Sequence, residues 1–358
     1  MFLVDAHLDL SMNAMEWNRN LRQSVPQIRA SETGLTDKPD RGKGTVSLPA
    51  LRAGYIGLVI GTLIGRVQLP GQTLPGWASP EQAWAQIQGQ LAWYKAMEAA
   101  GEITIIQNQE QLQQHLTLWA NDTIPNLHKA IGVMISLEGA DALITPEHAL
   151  VLRQQGLTAI GPAHYGPGRY ANGTDASGHL TANGKALLQM MEQQGIALDI
   201  THLCDDALAD ALALFKGIIW ASHHNCRALV PHNRQMSDAI IQELIARNSV
   251  IGMAFDAWMM VPGWQRGVST PQQMQCSMAS IIPHIDHICQ LAGNSLHVGI
   301  GSDLDGAFGK EQSPYDIDTI TDLQQLSTVL QQKGYTASDI ENIFHKNWLR
   351  VFQQTLPQ

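Results

Sequence analysis

The feature that most constrains this chain is a repeated alternation. Short, unbroken runs of Val, Ile and Leu are each followed by a longer stretch with helical periodicity. The runs predict strands at Phe2–His7, Tyr55–Leu63, Ile131–Leu137, Thr158–Ala163, Ile196–Ile200, Ile218–Ser222, Val250–Phe255 and His297–Gly301. Continuous apolar runs, as opposed to strict apolar–polar alternation, suit parallel strands covered on both faces. The intervening pattern predicts helices at Pro80–Ala100, Ala182–Gln194, Asp205–Phe215, Ser237–Arg247 and Pro271–Leu291. Ser79-Pro80, Ser237-Asp238 and Thr270-Pro271 supply start signals, a capping residue placed before a proline or an acid.

Eight strands in a strand–helix rhythm predict an α/β fold, a (β/α)8 TIM barrel. Ile103–Ile106 reads as a short extra strand outside the barrel. The competing architecture is a doubly wound sheet, but its dinucleotide loop is missing: Gly299-Ile-Gly301-Ser-Asp-Leu304 starts like GxGxxG and lacks the third glycine. With no repeat, linker or low-complexity tract, residues 1–358 read as one barrel domain. Two long loops stand out, about 18–45 after the first strand and about 164–178 after the fourth. A loop as long as the first is usually functional, and it reads as a lid.

A net charge of −10 argues against a nucleic-acid or anionic-membrane surface. The four cysteines (Cys204, Cys226, Cys276, Cys289) form no CxxC pair, as expected in a reducing compartment. Met1-Phe2-Leu3-Val4-Asp5 has no basic region ahead of an apolar one, and Tyr55–Gly65 is too short to span a bilayer. The expectation is a cytoplasmic protein.

Barrel chemistry sits where strands end on the C-terminal face. The first predicted strand ends in His7-Leu8-Asp9, whose alternate residues share a face. The third ends in Glu138-Gly139, the fourth in Ala163-His164, the fifth in Thr201-His202, the sixth in Ser222-His223-His224, and the eighth in Asp303-Leu304-Asp305-Gly306. A single such histidine is ordinarily a hydrogen-bonded rim residue, and Asp303-Leu-Asp305-Gly306 could be a simple Asx turn. Bland explanations at six strand ends together are another matter. Burying so many titratable groups without a metal would cost several kcal/mol each. The inventory exceeds the four or so ligands of one ion, and suits two metals roughly 3.5–4 Å apart with a bridging carboxylate. HExxH, GxSxG and GxxxxGK[ST] are all absent.

With these residues in place, the sequence resembles the renal or membrane dipeptidase family, peptidase family M19 of the amidohydrolase-type barrels. The resembling segments are Asp5-Ala-His7-Leu-Asp9-Leu, Leu137-Glu138-Gly139, Ile200-Thr-His202, Ala221-Ser-His223, His297-Val-Gly-Ile-Gly-Ser-Asp303-Leu-Asp305-Gly306 and Asn347-Trp-Leu-Arg-Val-Phe352. They run in order through nearly the whole chain. The resemblance implies two Zn2+ per chain, with other divalent metals able to substitute. His7 and Asp9 would bind one, His202 and His223 the other, and Glu138 would bridge them. It implies hydrolysis of small dipeptides by a metal-bridging hydroxide. His164 would contact the substrate carbonyl, Arg234 would receive the dipeptide carboxylate, and Asp303 would handle the proton. Such roles suit an oxyanion-stabilising imidazole, a guanidinium fork and a general acid–base.

There are departures from the family pattern. Met259 stands where a substrate-contacting tyrosine is expected, and the Tyr165–Tyr170 loop and Ala140-Asp141 differ from the mammalian enzymes. Arg169 and Tyr170 are the candidates to replace the lost contact. The expected partner is a small dipeptide, with no nucleic acid and no membrane, and a homodimer is compatible with the sequence. Two other readings stay open: a related hydrolase of N-acyl amino acids, lactones or other small amides, and a non-catalytic ligand-binding barrel.

Overall fold

The computed structural model describes residues 1–358. Its barrel strands are β1 (Leu3–Leu8), β2 (Ile56–Ile64), β3 (Ile131–Glu138), β4 (Leu157–Gly161), β5 (Ala197–Asp199), β6 (Ile219–Trp220), β7 (Ile251–Met253) and β8 (Val298–Ile300). They pair in the order β6-β5-β4-β3-β2-β1-β8-β7, all parallel. A bridge between Ala221 and Ile251 joins the two ends and closes the ring. The architecture is the (β/α)8 barrel that the strand–helix rhythm predicts. Ile103–Ile105 forms the expected extra strand, pairing with Ile131–Val133. β4 joins β3 only from Ile135 onward, so Ile103–Ile105 takes the edge of β3 that faces away from β2.

Closure needs close backbone approach. A Cβ at Gly252 would lie 1.9 Å from Ser222 O, and one at Gly301 would lie 1.7 Å from the same atom. Glycine is the residue that lets β7 and β8 come this near the chain after β6.

Inside the ring, Val4, Ala6, Leu58, Ile60, Met134, Ala159, Ala197 and Trp220 meet Trp348, Val351 and Phe352 of the last helix, Asn347–Thr355. That helix fills the bottom of the barrel. Trp348 Nε1 donates to Ile300 O at 3.0 Å, and a Cβ at Gly299 would fall 2.1 Å from the same nitrogen. Each fully buried side chain of this size contributes about 2–3 kcal/mol. A second, larger core fills the space between strands and outer helices. No helix is long and apolar enough to cross a membrane.

The structure corrects two expectations. Pro271–Leu291 is not one helix: the helix is Ile282–Ala292, preceded by a 3-10 turn at Met278–Ile281. Pro283 is the cause, since it lacks an N–H and would clash inside a helix but fits the first turn. Segment 18–45 is not irregular throughout, and contains the helix Val25–Ser31. It is tied down by buried charge. Arg19 donates to Glu32 Oε1 (2.8 Å), Asp40 Oδ2 (2.9 Å) and Asn13 Oδ1 (2.7 Å). The segment is therefore anchored at the barrel mouth, where Lys38 and Pro39 line the cavity.

Candidate metal centre

The barrel delivers its functional side chains by a simple rule. His164, His202, His223 and Asp303 each lie three residues beyond the last residue of β4, β5, β6 and β8, respectively. Glu138 is the final residue of β3, and His7 and Asp9 flank the end of β1. His202 (φ +70°) and Asp303 (φ +58°) adopt the left-handed backbone region. For residues other than glycine that conformation costs free energy and gathers at functional sites.

Glu138 Oε1 is the centre of the cluster. It lies 3.5 Å from His7 Nε2, 3.3 Å from His202 Nε2, 3.6 Å from His223 Nε2 and 3.9 Å from His164 Nε2. His7 Nε2 is also 3.8 Å from Asp9 Oδ1 and from Asp303 Oδ1. His202 Nε2 and His223 Nε2 stand 3.1 Å apart. The structure thus brings together all five expected ligands, His7, Asp9, Glu138, His202 and His223, with His164 and Asp303 beside them. Three overlapping donor groups have ligand atoms within 4.8 Å of one another: His7/Asp9/Glu138, Glu138/His164/His202 and His7/His223/Asp303.

Outer partners orient the rings from behind. Ser222 Oγ is 2.9 Å from His223 Nδ1 and 3.3 Å from His7 Nδ1, and Thr174 Oγ1 is 3.1 Å from His202 Nδ1. Thr62 on β2 donates to Asp9. With the outer nitrogen engaged, each imidazole points its Nε2 inward, as metal-ligating histidines do.

The electrostatics point the same way. Burial, with the Arg234 charge nearby, pushes the His7 pKa down to about 3. Burial pushes those of His202, His223 and His164 well below the usual imidazole value. Burial raises Asp9 to about 6, and burial together with the other acids drives Glu138 and Asp303 well above the carboxylate range. Neutral imidazoles and crowded carboxylates are the state that cations relieve. His7 Nε2 is buried and has no hydrogen-bond partner. An orphaned, inward-pointing nitrogen among oxygen donors fits a divalent metal, and the mixed His/carboxylate set suits zinc.

Above the centre is a cavity of about 410 Å³. Arg234 lines it, buried; Nη2 donates to His223 O at 2.9 Å and Nη1 has no partner. Met259 is in the same wall. Arg169 and Tyr170 correct an expectation, because neither lines this cavity. The Arg169 guanidinium donates to the carbonyls of Asp141, Leu143 and Ile144, and the Tyr170 hydroxyl to Leu143 O. They hold their loop together. Arg66, Tyr165 and Arg266 face the cavity instead. Arg266 is the least obvious, sitting on a polar loop beyond β7, with its guanidinium 4.1 Å from the Trp258 ring and Nη2 donating to Tyr165 Oη at 2.9 Å. Asp305, two residues from Asp303, turns away. Its carboxylate accepts from Thr45 N, Thr45 Oγ1 and Val46 N.

A closed parallel barrel with four imidazoles and three carboxylates converging on its C-terminal rim has the donor set of a metal-binding enzyme barrel. Residues 1–356 match the family model for membrane dipeptidase, peptidase family M19, and the chain belongs to that family. Membership makes it an enzyme of the metallo-dipeptidase class. Among named relatives, dipeptidase tcpJ of Claviceps purpurea is 23% identical over 286 residues, covering 74% of this chain and 63% of that protein. An uncharacterised dipeptidase of Schizosaccharomyces pombe is 27% identical over 176 residues, 49% of this chain and 40% of its own length. Among solved structures, a metallopeptidase from Rhodobacter sphaeroides, liganded with a phosphinate mimic of L-Ala-D-Ala, superposes with a TM-score of 0.78 at 20% identity, covering 99% of each chain. The metallopeptidase dipeptidase AC gives 0.80 at 21% identity, covering 100% of this chain and 99% of that one. At such identity these likenesses establish the fold.

Proposed function

We propose that this protein is a binuclear zinc dipeptidase that cleaves the peptide bond of small dipeptides. The observation that carries the reading is the position of Glu138 Oε1, 3.5 Å from His7 Nε2 and 3.3 and 3.6 Å from those of His202 and His223. One carboxylate between two imidazole sets is what a pair of ions sharing a ligand requires. His7 and Asp9 would hold one ion, His202 and His223 the other, and Glu138 both. Zinc held by these residues would supply an acidified water as nucleophile near neutral pH, and Lewis-acid polarisation of the scissile carbonyl.

The chain's own residues do the rest. Arg234 offers the unpartnered Nη1 to the substrate's free carboxylate. This end-recognition selects dipeptides over longer chains. His164 Nε2, at the cavity wall, donates to the carbonyl oxygen as charge develops on it. Asp303, whose Oδ1 lies 3.8 Å from His7 Nε2 at the edge of the centre, takes the nucleophile's proton and returns it to the leaving amine. The dipeptide mimic in the Rhodobacter sphaeroides structure supports a ligand of this size.

The test is a substrate panel on zinc-loaded protein: L,L and L,D dipeptides with free and amidated C-termini, beside N-acyl amino acids. Free dipeptides should be strongly preferred over amidated and N-acylated compounds. Equal rates on amidated or N-acylated compounds would replace this reading with a broader amide hydrolase.

A further inference from the structure

The cavity contains a buried carboxylate that the chemistry above does not use. Asp256 follows β7 and is 5% exposed. Its Oδ2 accepts from Trp258 Nε1 at 2.6 Å and Gln312 Nε2 at 3.1 Å, while Oδ1 is buried with no partner. A buried acceptor left unpaired has lost its water and gained nothing in exchange. The cation nearest to hand does not quench it. Arg266 stacks on Trp258 and donates to Tyr165, and it forms no ion pair with Asp256. The other cavity acids are spoken for. Asp9 and Glu138 belong to the metal centre, and Asp303 stands beside it. Glu16 Oε1 accepts from Gln86 and Gln90, and Asp175 is exposed to solvent. A dipeptide has two charged ends, and Arg234 accounts for one of them.

We propose that Asp256 Oδ1 is a specificity site that receives an ammonium group of the substrate, opposite in charge to the carboxylate received by Arg234. The inference rests on the dipeptidase reading. Two groups carry this chemistry, the α-ammonium of the first residue and an ammonium at the end of a side chain. Arg266 keeps the site selective: fixed by Trp258 and Tyr165, it helps to hold Asp256 ionised without occupying it. Burial pushes the Asp256 pKa up to about 7, a rise that Arg266, Trp258 and Gln312 each oppose.

Asp256→Asn removes the charge and keeps an oxygen for Trp258 and Gln312, so metal content and melting temperature should match wild type. Two pairs of substrates separate the sources: Ala-Ala against N-acetyl-Ala-Ala, and Ala-Lys against Ala-norleucine. Wild type should prefer the ammonium-bearing member of at least one pair. In Asp256→Asn, kcat/KM for that member should fall roughly 10- to 100-fold, the range of an ionic hydrogen bond, with little change for its neutral partner. Loss in the first pair assigns the α-ammonium, and loss in the second a side chain. Absence of preference in wild type, or equal preference in the variant, overturns the proposal. If no dipeptide is turned over, the functional reading fails by itself. Calorimetry of alaninamide against N-acetylalaninamide with the metal-loaded protein then decides the role of Asp256. Tighter binding of alaninamide by wild type but not by the variant sustains it, and equal or undetectable binding overturns it.

Discussion

Asp303 and Asp305 are two residues apart, and the structure gives them opposite duties that one pair of variants can separate. Asp303 faces the centre, 3.8 Å from His7 Nε2. Asp305 faces the wall, where three buried donors end on its carboxylate, at 2.7 Å from Thr45 N, 2.7 Å from Thr45 Oγ1 and 3.0 Å from Val46 N. Its Oδ2 also lies 3.6 Å from Arg19 Nη1. In Asp305→Ala those three donors lose their acceptor. At roughly 1–3 kcal/mol each the upper sum is large, but water entering the space and relief of a buried charge place the net loss at about 3–5 kcal/mol. For a chain of this size each kcal/mol shifts Tm by about 2 °C, so a drop of roughly 6–10 °C is expected. Asp303→Asn should leave Tm within about 2 °C and keep both metals, while kcat falls ~10²–10⁴-fold. Thermal denaturation, elemental analysis and steady-state kinetics on both variants read the two effects separately. Near-normal kcat in Asp303→Asn with metals present would refute the proton role. An unchanged Tm in Asp305→Ala would refute the anchoring of segment 18–45.

Three more outcomes follow from the same geometry. Elemental analysis of loaded protein should return two divalent ions per chain, and a single ion would refute the shared role of Glu138. Arg234→Ala should lower kcat/KM for a free dipeptide about 10- to 150-fold and leave the amidated form nearly unchanged, an ionic hydrogen bond being worth roughly 1.5–3 kcal/mol; equal effects on both forms would remove Arg234 from carboxylate recognition. In metal-free protein His7 is held neutral, its pKa lowered from 6.5 to about 3, so the stability it contributes is present above pH 6.5 and is lost as pH falls. Between pH 7.5 and 5.5 that loss is about 1.4 kcal/mol. Asp9, Glu138 and Asp303 titrate with the opposite sign, so the readout is the difference between wild type and His7→Asn in urea denaturation, and no pH dependence in that difference would refute the buried neutral imidazole.

Much of this molecule is legible in its sequence because parallel strands are apolar on both faces, and a polar residue just past such a run is conspicuous. That contrast marks His7, Glu138, His202, His223 and Asp303. Applied to the run Val250–Phe255, the same contrast marks Asp256, to which the family resemblance assigns no role. Arg169 and Tyr170 show the limit. On a glycine-rich loop the side-chain direction is set by tertiary hydrogen bonds, and sequence position near His164 says nothing about the Leu143 carbonyl that both residues serve. Arg266 was invisible for a similar reason, since a loop arginine gains its place only from the Trp258 ring beneath it. Pro283 is legible in the sequence, since a proline deep in a helical pattern marks where the helix starts.

The helix that fills the bottom of the barrel comes after every barrel strand in the chain. Until Trp348, Val351 and Phe352 leave the ribosome, the strands already made can pair but surround an open-ended apolar hole. The donor cluster at the opposite end depends on that ring being held round, because His7 and Asp303 come from its first and last strands. A nascent chain that stops short of this helix therefore has no finished place for an ion, and a truncation before Asn347 would weaken metal retention at the far end of the barrel without touching a ligand.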